Sequence, residues 1–505
     1  MEVQDFTQEE KEKIMAQYVQ MSFANLKRNI VQDLINNKNE SVIYKKYKKE
    51  QIVNMLENPQ KNEEQIRELS RFIYTVSSHY RRLVDYYSTI LLYNYTVIPT
   101  KLSTKKPTKT KYLETYYHII NECEKYNLQQ EAMEAIKIAV RDGVFFGICY
   151  ENDDSFYIKP FTDTKFAKIS SVEDGVFRYS IDLAYFSGKE YLLDMYGADF
   201  KHEYTLWKGD KEKGINGNKS KKWYEVPTGI VIKCDKSNFI NSIPMFASLL
   251  LDILSIDDYK LLQKAKVEGD NYKILGFKLD LDNEGFPTID YELAAKYFNA
   301  ASETLPSGVG AILVPFEISD HSFQTSTASS INNVSDAVDA FWQGAGTPSS
   351  LFGGGNINSS GAMSIAVRPD EALAFAMLSQ FERFFNVKFK KMDLPFSFKL
   401  KFSRLSIFNQ DEYTNRLSKA ASLGIPVKME YISALGFSPS DVLGMTYLEE
   451  DVLGLAKKVW LNALISSSTV SHSENEGGRP TSESKGETIG EAGEKTRTNE
   501  SNGER

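Results

Sequence analysis

Residues 344–363, GAGTPSSLFGGGNINSSGAM, contain no charged side chain and consist mostly of Gly, Ser and Asn. Such residues cannot build a core of their own, yet helical patterning stands on both sides, ending near Gln343 and resuming with SIAVRPDEALAFAMLSQFERFF. A connection this long inside a patterned region is either a functional loop or a disordered one. Its lack of charge suits a segment that faces something it must not grip.

The rest of the chain is able to fold around it. With 505 residues, 42% hydrophobic and 12% aromatic, it can bury the cores of two to four domains. A formal charge of −8 supplies no global basic field, which argues against unaided tight binding to nucleic acid but leaves room for a local basic surface. Cys123, Cys149 and Cys234 are widely spaced, odd in number and without a CxxC, so neither a disulfide framework nor a zinc site is expected, and a reducing cytoplasm is the expected folding compartment. The opening MEVQDFTQEEKEK lacks an apolar h-region and no later stretch offers eighteen uncharged apolar residues; neither secretion nor membrane spanning is expected.

Periodicity gives the elements. Residues 8–36 carry Ile14, Tyr18, Phe23, Leu26 and Ile30 near helical spacing, and residues 45–57 read as a short basic helix ending near Pro59. Residues 63–93 place Ile66, Leu69, Ile73, Val76, Tyr80, Leu83, Tyr87, Ile90 and Leu91 at steps of three or four, predicting one long helix stopped by Pro99, then a Lys- and Thr-rich linker over 100–111. Residues 112–141 are again helical, and Asp142-Gly143 turns into an apolar strand, GVFFGICYEND. FYIKPF, FRYSIDLAYF, YLLDMYG, YTLWK, KWYEVP and IVIKC then read as short strands of an antiparallel sheet, with GDKEKGINGNKSKK as a solvated hairpin tip.

Ile243-Pro244 opens a helix to Glu268 with Phe246, Leu249, Leu250, Ile253, Leu254 and Leu261 on one side and Leu251, Ile256 and Leu262 widening it, so it needs more than one neighbour. Residues 270–323 form a compact insert of strand, helix and strand, and residues 330–343 a shorter helix. After the uncharged run, Pro369 suits a first helical turn and is followed by Leu373, Phe375, Met377, Phe381, Phe384 and Phe385. A strand, FSFKLKFSRLS, and small helices over 410–464 complete an α+β chain. Beyond Ile465 there is no aromatic and almost no aliphatic residue, and a disordered tail is expected over 466–505.

Catalytic motifs are scarce. A P-loop requires a lysine beside its glycines, and GGGNINSSGAM has none, which disfavours an NTPase. Asp280 to Gly285 imitates the first half of a calcium loop, but Tyr291 occupies the position of the closing Glu and Pro287 interrupts it, so it reads as a polar turn. His79, His118, His202, His321 and His472 share no ligand spacing, and His79 reads as a packing or surface residue. There is neither a GxSxG elbow nor an HExxH pair; no enzyme, metal or cofactor is nominated. Lys260, Lys264, Lys266, Lys273 and Lys278 cluster around the end of one helix and the start of the insert, a solvated face or a patch for a duplex backbone or acidic partner.

The order of PMFASLLLDILSIDDYKLLQKAK, the insert to DHSF, SINNVSDAVDAFWQ and FGGGNINSSGAMSIAVRPDEALAFAMLSQFERFF resembles the portal proteins of tailed bacteriophages, and RRLVDYYSTILLYNYTVIP looks like the wing helix of the Gram-positive phage type. The likeness spans roughly residues 60–460. It implies N-terminal helices and wing over 1–243, stem helices over 244–268 and 330–345 enclosing a clip at 269–329, a tunnel loop, kinked helix and returning wing strand over 346–408, and a crown over 409–465. In that family the subunits form a ring, usually a dodecamer, at one capsid vertex, assembled in the host bacterial cytoplasm. Double-stranded DNA passes through the lumen, and terminase large subunit, head-completion or adaptor proteins, major capsid protein and scaffolding protein are the partners. The resemblance places Asn356, Asn358, Ser359 and Ser360 in the tunnel loop and Pro369 at the hinge of the kinked helix. Lys264, Lys266, Lys273 and Lys278 become candidate clip or stem contacts. The alternative is another phage head component, a minor head or adaptor protein, which would need no lumen loop; a packaging NTPase is disfavoured by the missing P-loop lysine.

Overall fold

The computed structural model describes residues 46–100, 108–213, 222–271, 273–278, 288–304, 309–314, 321–322, 329–352 and 360–455, with isolated positions elsewhere. The expected helix over 8–36, residues 214–221 of the expected hairpin tip and the tail from 456 onward lie largely or wholly outside them, and the start of that tip, 209–212, is helical instead. The chain divides into two units, Met1–Ser440 and Asp441–Arg505. No helix among the described residues is long and apolar enough to cross a membrane.

Among the described residues of the first unit, α1 (Lys49–Glu57), α2 (Glu63–Val76) and α3 (Ser78–Thr89) follow one another. The single helix expected over 63–93 is therefore two. Ser77 takes extended backbone angles, donates its amide to the Ile73 carbonyl at 2.8 Å and caps α3 through its side chain, which accepts from the Tyr80 amide. One short polar residue ends one helix and starts the next without breaking the apolar stripe. Nor does Pro99 stop a helix. Tyr93 adopts φ 56°, and the chain turns into β1 (Tyr95–Pro99), paired antiparallel with β11 (Phe398–Phe402) from Tyr95 opposite Phe402 to Pro99 opposite Phe398. Proline is tolerated at the end of this two-stranded ribbon because no ladder bond is demanded of it there.

Helices α4 (Lys109–Lys125) and α5 (Leu128–Asp142) replace the continuous pattern over 112–141, the break falling at Asn127 with φ 44°. Gly143 closes α5 with φ +81°, and a Cβ there would stand 2.3 Å from the Ile243 carbonyl oxygen, so both conformation and space require glycine. The following β2 (Val144–Glu151) is the middle strand of an antiparallel sheet flanked by β3 (Phe156–Pro160) and β7 (Gly229–Lys233). A second sheet orders β4 (Ala167–Glu173), β5 (Val176–Asp182) and β6 (Trp223–Glu225).

Two expected strands are helical. YLLDMYG forms a turn at Leu193–Tyr196, and YTLWK lies inside α6 (Ala198–Glu212). Leu193, Tyr196, Phe200, Tyr204 and Trp207 recur at steps of three or four and bury together with Phe186 in their own cluster, a helical period that is not visible within either short window. The strand β4 carries no apolar signal in the sequence, because its AKISSVE is largely solvated.

A turn at Ala247–Leu249 leads into α7 (Leu250–Asn271), which packs along α9 (Ser329–Ala345). Between them lie β8 (Lys273–Lys278), α8 (Tyr291–Thr304), β9 (Val309–Val314) and β10 (His321–Ser322); β8 and β9 are parallel, with β10 antiparallel on the free edge of β8. A parallel pair needs a crossover, and α8 supplies it. Then come α10 (Ser360–Ala366), α11 (Arg368–Lys391), β11, α12 (Gln410–Ser422) and α13 (Lys428–Ala434). In the main core, α11 contributes Phe375, Met377, Phe381, Phe384 and Phe385, and α7 contributes Leu250, Ile253, Leu254 and Ile256. Helices and mainly antiparallel sheets make this an α+β fold. Helix α14 (Pro439–Thr446) follows, and the second unit includes a π-helical segment, Tyr447–Val452.

Candidate functional site

The described parts of the uncharged run are structured. Its first residues are packed: Thr347 is buried, Ser349–Phe352 form a helical turn, and Leu351 and Phe352 lie against the main core. Its last residues begin α10. Asn356, Asn358 and Ser359 lie outside the described residues, and Ser360 is the first residue of α10.

Phe352 within the run and Asp370, beyond the α10 helix that follows it, both rest on α3. At the entry, Phe352 stacks on Trp342 of α9 with centroids 3.9 Å apart and planes 4° from parallel. Tyr86 and Phe352 meet edge to face with centroids 5.5 Å apart, and the Arg82 guanidinium lies 5.6 Å from the Phe352 ring centre. At the exit, α11 opens with Asp370 and Glu371 in its first turn, where carboxylates suit the exposed amides and the helix dipole. Asp370 is buried and accepts hydrogen bonds from Tyr86 at 3.1 Å and Tyr87 at 2.7 Å, while Glu371 accepts from the Ser406 hydroxyl. Tyr86 therefore touches both sides of residues 353–359, by its ring at Phe352 and by its hydroxyl at Asp370.

Electrostatics follow from burial. Burial pushes the Asp370 carboxyl above its ordinary range, opposed by the two tyrosine hydrogen bonds and assisted by the adjacent Glu371 charge. His79, on α3 one turn before Arg82, lies 6.3 Å from the ring of Phe341 and 6.2 Å from Trp342. Burial, then Lys260 and Arg82, lower its pKa, so it is a neutral packing imidazole at physiological pH. Chemically the arrangement holds a neutral peptide segment at two fixed points.

Pro369 stands in the first turn of α11, where its missing amide costs nothing. The interruption between α10 and α11 falls at Val367, whose amide still donates to Met363 and whose carbonyl still accepts from Glu371. Lys264 and Lys266 lie in the last turns of α7, and Lys273 and Lys278 are the first and last residues of β8. They flank the junction between helix and insert, away in sequence from the loop. The clamp of Tyr86, Tyr87, Trp342, Phe352 and Asp370 is not marked by any motif. Its sequence signal is the pair of acids directly after Pro369 and the two aromatics bordering an otherwise small-residue run.

No protein-family model and no curated protein matches the chain. Among solved structures it is similar to a chain in the neck of an empty gene transfer agent particle determined with C6 symmetry, at 11% identity over 73% of this chain and 93% of that one, with a TM-score of 0.40. It is also similar to a chain in the virion of a native gene transfer agent particle, at 11% identity over 73% of this chain and 92% of that one, with a TM-score of 0.39.

Proposed function

We propose that this chain is a portal subunit, one noncatalytic protomer of a ring through which double-stranded DNA enters and leaves a phage head. The observation that carries the reading is the support on either side of residues 353–359: Phe352 before them and Asp370, beyond α10, after them are both held by Tyr86, next to the α9 helix that pairs with α7. A loop that must meet moving DNA needs rigid feet and a surface without cations, because each phosphate neutralised by Lys or Arg would tighten binding and oppose sliding. Short Asn and Ser side chains touch phosphates without ion pairing. The α7 and α9 pair enclosing a small α/β insert supports a stem and clip, and the helices after β11 a crown. On this reading the insert faces terminase and later the head-completion proteins, the outer sheets face capsid and scaffolding protein, and the ring is a dodecamer at one vertex.

Negative-stain imaging of the purified full-length chain tests it. Rings with a central hole are expected. A strictly monomeric species under all assembly conditions would sink the proposal.

A further inference from the structure

The segment that leads from β7 toward α7 is built on two buried cations. Lys233, completely buried, donates to the main-chain carbonyls of Asn238, Phe239 and Asn241, the last two at 3.2 and 3.0 Å. Arg67 donates to the carbonyl of Ser242 through Nε at 3.0 Å and Nη2 at 2.9 Å. Carbonyls held on ammonium and guanidinium groups fix this backbone firmly. What they hold outward is apolar: Ile240 is 81% exposed, and Phe239, also exposed, rests on Phe177 with ring centres 5.9 Å apart.

Beside this knob is a cleft of about 590 Å³ whose lining includes Phe177, Lys236, Arg383 and Lys390. Among the described residues none of these three cations pairs with a carboxylate. Of the two acids lining the cleft, Glu382 is engaged by the Phe402 amide at 2.9 Å, leaving Asp174. Lys236 lies close enough to Arg383 to feel its repulsion. A rigid apolar knob beside uncompensated positive charge fits a surface that is apolar and acidic at once.

The chain itself carries such a surface. Tyr447–Val452, YLEEDV, has no buried residue; Tyr447 is 64% and Val452 58% exposed, and Glu449, Glu450 and Asp451 lie between them without a cation partner among the described residues. We propose that Tyr447–Val452 of one copy docks on the Phe239–Ile240 knob and the Lys236, Arg383 and Lys390 cluster of a second copy. Two different patches meeting head to tail make a heterologous contact, the kind that closes a ring. This rests on the self-assembling ring of the proposed function.

The test uses two full-length variants, K236E/R383E/K390E and E449K/E450K/D451K, in mass photometry at low ionic strength. All six substituted positions are exposed, so circular dichroism and melting temperature should match the wild type. Each variant alone is expected to need about tenfold or more protein to assemble, since like charges now face each other. An equimolar mixture should restore rings of alternating composition, because every contact again joins opposite charges; a contact within one chain cannot be rescued by mixing. Ile240→Asp, which leaves the cations in place, is expected to weaken assembly as well. Wild-type assembly by any of these variants, or a mixture that fails to recover, overturns the docking while the ring stands. A wild-type chain that never associates overturns both.

Discussion

Replacing Tyr86 and Tyr87 by Phe tests the exit foot of the loop, because it deletes two hydroxyls and leaves both rings in place. A hydrogen bond to a buried charged group contributes about 1.5–3 kcal/mol. The Tyr87 bond to Asp370 is 2.7 Å and the Tyr86 bond 3.1 Å, which puts Tyr87→Phe near the top of that range and Tyr86→Phe near the bottom. The double variant should cost less than their sum. A buried carboxylate stripped of donors takes up a proton instead of remaining charged, and one pH unit of protonation costs about 1.4 kcal/mol. Measured from the ordinary Asp value of about 3.9, this limits the charge-dependent loss to roughly 4 kcal/mol at pH 7 and about 1.5 kcal/mol at pH 5. The direction follows from linkage. The folded pKa of Asp370 is raised by burial, so the folded state binds more protons than the unfolded state, and the group's contribution falls as pH rises from the unfolded value through the folded one. Removing the tyrosine donors raises the folded pKa further and extends that window upward. Urea unfolding followed by tryptophan fluorescence, with Trp342 reporting beside the clamp, should show the double variant losing stability relative to wild type as pH rises from 5 to 7. A cost that is equal at both pH values, or below about 0.5 kcal/mol at pH 7, would refute the idea that these hydroxyls hold an ionised carboxylate.

Gly143→Ala is expected to destabilise by at least about 2 kcal/mol in urea unfolding, since φ +81° disfavours a side chain and its Cβ would collide with the Ile243 carbonyl. Lys233→Met removes the donor to three carbonyls and should cost about 2–4 kcal/mol, with faster proteolytic cleavage within residues 236–242; wild-type protection there would contradict the anchoring. Deleting residues 353–359 should leave ring assembly intact, because the feet at Phe352 and Asp370 remain, but impair DNA packaging or retention in an in vitro packaging assay; failure to form rings would make the segment structural.

Local chemistry made several elements legible. The apolar steps of α2, α3 and α11, the short insert between α7 and α9, and Pro369 in a first turn are all visible because helical burial imposes a period on the residues themselves. So is the uncharged run. Where the reading went astray, a local ambiguity was resolved elsewhere in the chain. YTLWK could be strand or helix by itself, and became helix because Phe200, Tyr204 and Trp207 find Phe186 and the second sheet to pack on. YTVIP became a strand because FKLKF, some three hundred positions later, offered it a partner.

The sequence by itself determined which segments could be helices, where charge is absent, and that the region between α9 and α11 could not form a core unaided. Only the tertiary structure decided that this region has two feet and that both stand on Tyr86. The physical reason is distance along the chain: Tyr86 lies 284 positions from Asp370, and no periodicity or composition connects an aromatic hydroxyl to a carboxylate so remote until folding has desolvated both and made their hydrogen bond the way to satisfy them.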